Sequence, residues 1–218
     1  MDHPSLIRLK APAQHGQTLL VPGLPQMPRD LQNNIDSLSS AGCRILSRPL
    51  AELRQSTRTE LLALAVHFHR LLQLPPLEPV PGQPLIVTGH QPGFHHPGIL
   101  IKYLLAHHLA QSAGSVALNL IVDSDLPTSL SLPLPVHTPS GLTIQNIPLA
   151  DFDPALPWQD QPLPAAAQLH TFLDQVQRVA VPDSIAPALA VLCQTLPVCL
   201  PLAQNLPDLF TLLHRHLA

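Results

Sequence analysis

Pro84-Leu85-Ile86-Val87-Thr88-Gly89-His90-Gln91-Pro92-Gly93-Phe94-His95-His96-Pro97-Gly98 is the stretch on which the fold turns. Its first residues form an apolar run with β-branched members, the pattern of a strand buried on both faces of a sheet. Gly89 to Pro97 reads as a loop. From Gly98 to Gln111, the residues Ile99, Leu100, Tyr103, Leu104, His107 and Leu109 follow a helical pattern that Ser112-Ala113-Gly114 closes. Val116 to Val122 is a second apolar run, and it ends in Asp123-Ser124-Asp125. Strand, helix and strand within Leu85–Asp125 predict a right-handed parallel crossover. Ligands of such units bind at the carboxyl ends of the strands. His90 and its neighbours should therefore share one edge with Asp123 and Asp125.

Outward from this unit the pattern is helical. Met27 to Leu38 reads as a short helix with Pro28 near its start, and Leu19-Leu20-Val21 as a short strand. Arg48 to Leu74 carries Leu50, Leu53, Leu61, Leu62, Ala65, Phe68, Leu71 and Leu72 at helical spacing, and Pro75-Pro76 ends it. His67 and His69 on that helix point to different faces and do not form a metal pair. Beyond Leu126 the chain is rich in proline, with short strands expected around Leu142 to Ile147. Helices are then predicted over Ala165 to Val179, Ser184 to Thr195 and Leu206 to His216. The last has no capping Gly or Asn. With so few strands for a parallel sheet, the pattern reads as part of a longer chain. The expected class is α/β, a Rossmann-like parallel sheet with N- and C-terminal helical extensions. The expected division is 1–80, an extension with a long amphipathic helix; 81–150, the core; and 151–218, a helical segment.

Composition narrows the function. The 218 residues are 45% hydrophobic but only 11% charged, and thirteen His outnumber eleven Lys and Arg. A formal net charge of -3 without a basic cluster excludes a general nucleic-acid footprint. Twenty-seven prolines against a usual share of about 5% point to proline-rich loops packed on a core. Cys43, Cys193 and Cys199 show neither a disulfide framework nor a zinc spacing. Met1-Asp2-His3-Pro4 lacks the opening of a signal peptide, and no apolar run reaches the roughly 18 residues of a membrane span. A cytoplasmic protein that does not enter membranes is expected.

The loop carries the candidate chemistry. Gly89, Gly93 and Gly98 let backbone amides approach a ligand, and a helix start at Gly98 offers unpaired amides to an anion. His90, His95 and His96 add donors that titrate near neutral pH, and Lys102 lies one turn into the helix. The bland alternative is a histidine-rich turn satisfied by loop carbonyls. A third arrangement would place a metal on the histidines with Asp123 or Asp125. Asp123 and Asp125 could equally be solvated loop acids. His107 and His108 suit the dipole at a helix end, Trp158 is expected to cover the core, and His214 and His216 are assigned no role.

Thr88-Gly89-His90-Gln91-Pro92-Gly93, the Pro97-Gly98 helix start with Lys102, and Val122-Asp123-Ser124-Asp125 resemble the bacillithiol-biosynthesis cysteine-adding enzyme family. That family typically shows a Thr-Gly-Gln-Gln-x-Gly loop, a Gly-Pro helix start with a lysine, and a Glu-Asp-His-Asp strand end. The resemblance implies a Rossmann-like core akin to the nucleotidyltransferases and class I aminoacyl-tRNA synthetases, whose first-strand loop holds ATP phosphates. It implies ATP or ADP as ligand, held by Thr88, Gly89, His90, Gln91, Gly93, Gly98 and Lys102. His95, His96, Asp123 and Asp125 would then be the catalytic set acting on a small-molecule substrate. His90 stands at a family Gln, Pro97-Gly98 reverses the family order, and Ser124 stands at a family His. The alternative to a ligase-like enzyme is a non-catalytic ligand-binding or interaction module that keeps the fold.

Overall fold

The computed structural model describes residues 10, 12–14, 16–80 and 82–217. The stretch Met1–Pro4 therefore lies outside the described residues. Contacts group the chain into two compact units, Met1–Glu60 and Leu61–Ala218.

In the first unit, α1 spans Met27–Ser40, with proline in its first turn and Asp30 beside the positive end of its dipole. Two short strands, β1 (Arg44–Ile45) and β2 (Arg48–Pro49), pair antiparallel. Leu46 and Ser47 make the tight turn at φ 48° and 67°, the left-handed values that such a two-residue hairpin requires. Helix α2, Leu50–Leu71, begins here, and Arg48 grips Glu52 at 2.9 Å. The strand expected at Leu19-Leu20-Val21 does not form. Pro22 brings no amide donor, and among the described residues no strand pairs with this stretch, so Leu19 and Val21 stay exposed.

The second unit is mixed α/β. Its parallel part is one pair, β3 (Leu85–His90) and β4 (Val116–Ile121), joined through α3 (Pro97–Ser112). The register runs from Leu85↔Val116 to His90↔Ile121. The amides of Val116 and Val122 extend the ladder to the carbonyls of Pro84 and His90. β3 runs through Gly89 and His90, which the sequence pattern assigns to the loop. Gly89 is needed where it stands, because a Cβ there would meet the Leu120 carbonyl oxygen at 2.9 Å. Gly89→Ala should cost about 1–2 kcal/mol by crowding the paired strand. Urea denaturation would read this, and an unchanged midpoint would contradict the close approach.

The strands are not buried on both faces as their composition predicts. Val87 is 49% exposed and Leu120 41%. One helix and two strands supply too little surface to cover both sides of a parallel pair.

Most of the buried core of this unit comes from the chain beyond the parallel pair, joined by Leu72 of the segment before it. Strands β5 (Ser131–Thr138) and β6 (Gly141–Pro148) form an antiparallel hairpin, and Leu134, Val136 and Ile147 point inward from it. Pro133 and Pro135 sit within β5. The amide of His137, which has the same parity, leaves the hairpin to reach the Ala180 carbonyl, so odd positions of β5 face away from β6. Both prolines thus lack a donor only where the ladder does not need one. Helices α4 (Ala166–Arg178), α5 (Ala186–Cys199) and α6 (Leu206–Leu217) close over the hairpin. The Gln168 side chain accepts the Ala165 amide at 2.9 Å and caps α4. α5 continues past Thr195, where its pattern fades, through Pro197 to Cys199. Leu196 and Cys199 are fully buried, and that packing outweighs the bond Pro197 cannot make. The stripe Leu206, Leu209, Phe210 and Leu213 on α6 is at most 1% exposed. Segments read as a core (81–150) and a helical segment (151–218) thus share one set of buried side chains. Among the described residues, no helix is long and apolar enough to cross a membrane.

Candidate functional site

The parallel register brings the ends of β3 and β4 side by side, and the polar groups meet there as the strand–helix–strand reading requires. The Gln91 side-chain amide donates to Asp125 Oδ2 at 2.6 Å. A short 3-10 turn, Trp158–Asp160, backs this edge. The amides of Trp158 and Gln159 donate to the carbonyls of Asp125 and Asp123 at 3.0 and 3.1 Å. The Asp123 carboxylate is half-buried and makes no hydrogen bond among the described residues.

The loop itself is bolted to the core. Pro92 and Gly93 are buried. Gly93 has φ 136°, open only to glycine, and a Cβ there would touch the Trp158 ring at 3.4 Å. Phe94 wedges between Phe172 and Phe210, with ring centroids at 5.8 and 5.2 Å. Each of these contacts spends loop residues on structure.

The histidines divide into roles. His96 caps α3: its Nδ1 accepts the Gly98 amide at 3.0 Å, and its carbonyl accepts the Ile99 amide at 2.8 Å. The helix starts at Pro97, and the Gly98 amide is bonded to His96 Nδ1. His90 Nδ1–H and His95 Nε2–H both donate to the Gln91 carbonyl, at 3.2 and 3.0 Å. A carbonyl can only accept, which settles those tautomers. His95 lies against His90 at 5.3 Å and Tyr103 at 5.4 Å, and it stacks on His214 at 4.1 Å with the planes 31° apart. His214, in turn, donates from Nε2 to the Gly93 carbonyl at 3.0 Å. His95 Nδ1 is buried with no hydrogen-bond partner.

Electrostatics follow from this packing. Burial pulls the His95 pKa below its ordinary value, with the charges of His90 and Lys102 adding to the effect and the Gln91 carbonyl opposing it. Burial, then His95, lowers His214 to about 4 against the pull of the Gly93 carbonyl. Both rings are neutral at pH 7. They can hold a loop or accept a proton, but they do not supply fixed positive charge. That charge comes from Lys102, exposed on the first turns of α3.

The structure therefore brings His90, Gln91, Gly93, His95, Asp123 and Asp125 to one edge. His96 and Gly98 stand at the start of α3 and Lys102 further along it, while Thr88 and Gly89 belong to the body of β3. His214 is the residue sequence reading passes over. One signal was present: it follows Phe210 by one helical turn, next to the apolar stripe of α6 rather than on the solvent face. Among the described residues, no group of three or more His, Cys, Asp and Glu is placed to hold a metal ion. Comparison with protein-family models, with curated proteins and with solved structures finds no match for this chain.

Proposed function

We propose that the carboxyl edge of β3 and β4 binds a small phosphate-bearing molecule, with ATP or ADP the first candidates, in a Rossmann-like manner. The observation that carries this reading is the Gln91–Asp125 bond, which joins the glycine-rich loop and the acidic strand end into one rim. The rim is polarised. Exposed His96 and Lys102 lie on its α3 side and suit phosphate oxygens. Asp123 and the free oxygen of Asp125 suit a substrate amine or a ribose hydroxyl. In the ligase-like form of this reading, kin to the cysteine-adding enzymes, His95 and His96 would move protons at the reacting group while Asp123 and Asp125 orient the amine.

A second reading, ligand binding without chemistry, has its own support. The Gly98 amide and the Gln91 side chain already hold groups of this chain, and His95 is tied by α6. The Asp123-Ser124-Asp125 strand end also has serine where the cysteine-adding enzymes carry histidine.

Isothermal titration with ATP and ADP tests binding. Each should bind below millimolar concentration, and His96→Ala/Lys102→Ala should weaken the affinity about tenfold per lost charge-assisted contact. No heat at millimolar nucleotide would discard the nucleotide. Binding undiminished in the double variant would move the site elsewhere. Phosphate release from ATP with an amino acid present separates the two readings, because the module reading expects none.

A further inference from the structure

We infer that His95 and His214 form an acid-sensitive latch: as neutral rings they clamp the β3–α3 loop onto α6, and their protonation frees the loop. The inference is independent of what the loop binds, since here the ligand is the proton.

The geometry makes neutrality a condition of the closed state. Two rings from distant parts of the chain stack at 4.1 Å, and each gives its Nε2–H to a loop carbonyl, Gln91 for His95 and Gly93 for His214. The next proton on either ring must go to Nδ1. On His95 that atom is buried without a partner, so a proton there would be a donor with no acceptor. Two imidazolium rings at this separation would also repel.

Among the described residues, no neighbouring element offers relief. β3 contributes the His90 ring, and α3 contributes Tyr103 and the positive charge of Lys102. α6 contributes Phe210 beneath His214 and the exposed Arg215 and His216 beyond it. The 3-10 turn contributes the uncharged Trp158 to this side of the loop, and the Asp125 carboxylate is turned to Gln91. No carboxylate forms an ion pair with either ring among the described residues. Both pKa values lie below the usual 6.5, that of His214 at about 4, so the released chain takes up protons before the latched one does. By linkage the latch is fully set above pH 6.5 and weakens as pH falls below it, the part held by His214 being lost through about 4.

The sole tryptophan reports on the loop, because the Trp158 ring is buried and packed on Gly93. The full chain would be titrated from pH 8 to 3.5, following Trp158 emission and far-UV circular dichroism together. A red shift with its midpoint between pH 4 and 6.5, at constant far-UV signal, is the expected result. His95→Gln/His214→Gln keeps donors for both carbonyls but cannot titrate, and it should hold its emission through that range. An unchanged transition in this variant would overturn the latch, as would flat wild-type emission down to pH 4. Loss of far-UV signal at the same midpoint would also overturn it, showing global unfolding instead. Should the double variant not fold, imidazole carbon–proton NMR of the wild type decides the matter. Both rings titrating near 6.5 contradicts the latch, whereas a His214 titration that coincides with the Trp158 transition supports it.

Discussion

Phe210→Ala is expected to lower stability by about 3–5 kcal/mol, the loss typical of a fully buried aromatic side chain in a core that cannot collapse. Phe210 is 1% exposed and stands under the candidate site. Its ring meets Phe94 edge-on at 5.2 Å and Trp158 at 6.1 Å, and His214 lies at the same 6.1 Å. Its removal opens a cavity against three rings at once, two of which hold the loop. Urea denaturation should show the loss. Trp158 emission in the folded variant should shift to the red, because the wall behind the indole is gone. A loss below about 1 kcal/mol would mean that the site does not rest on this core.

Gly93→Ala is expected to cost about 2–4 kcal/mol, combining backbone strain with a weakened hydrogen bond. At φ 136° an L side chain is strained whatever space surrounds it. The added methyl would also press on the Trp158 ring at 3.4 Å. Relaxing the strain would rotate the Gly93 carbonyl away from His214 Nε2, now 3.0 Å distant. The stability loss should therefore come with a rise of the His214 pKa from about 4, because a loosened ring is better hydrated. Equal stability of variant and wild type in urea, with the His214 titration unmoved, would show that the loop adopts another conformation in solution.

Much of the site was legible as pattern. An apolar run, a glycine-rich loop, a helical period and a second apolar run ending in two aspartates are local signals, and they suffice to place Gln91 and Asp125 on neighbouring strand ends. The roles within the loop were not legible. Gly89 reads as a loop glycine, yet it is a strand residue kept small by the Leu120 carbonyl. Gly98 reads as an open amide, yet His96 takes it. Such assignments depend on sub-ångström positions that no spacing encodes. The burial of β3 and β4 was overread for a different reason: composition states what a strand would bury, and only the neighbours decide whether anything covers it.

The sequence by itself determined the βαβ order, the helical pattern of α1–α6 within a few residues, and the chemistry available on the loop, because each is written in residues close along the chain. Only the tertiary structure decided that the proline-rich stretch pairs as a hairpin under three helices, and that Phe172, Phe210 and His214 meet the loop from far along the chain. Those contacts join residues separated by most of the second unit. Their energy comes from packing and burial, which the periodicity of a segment can invite but cannot pair.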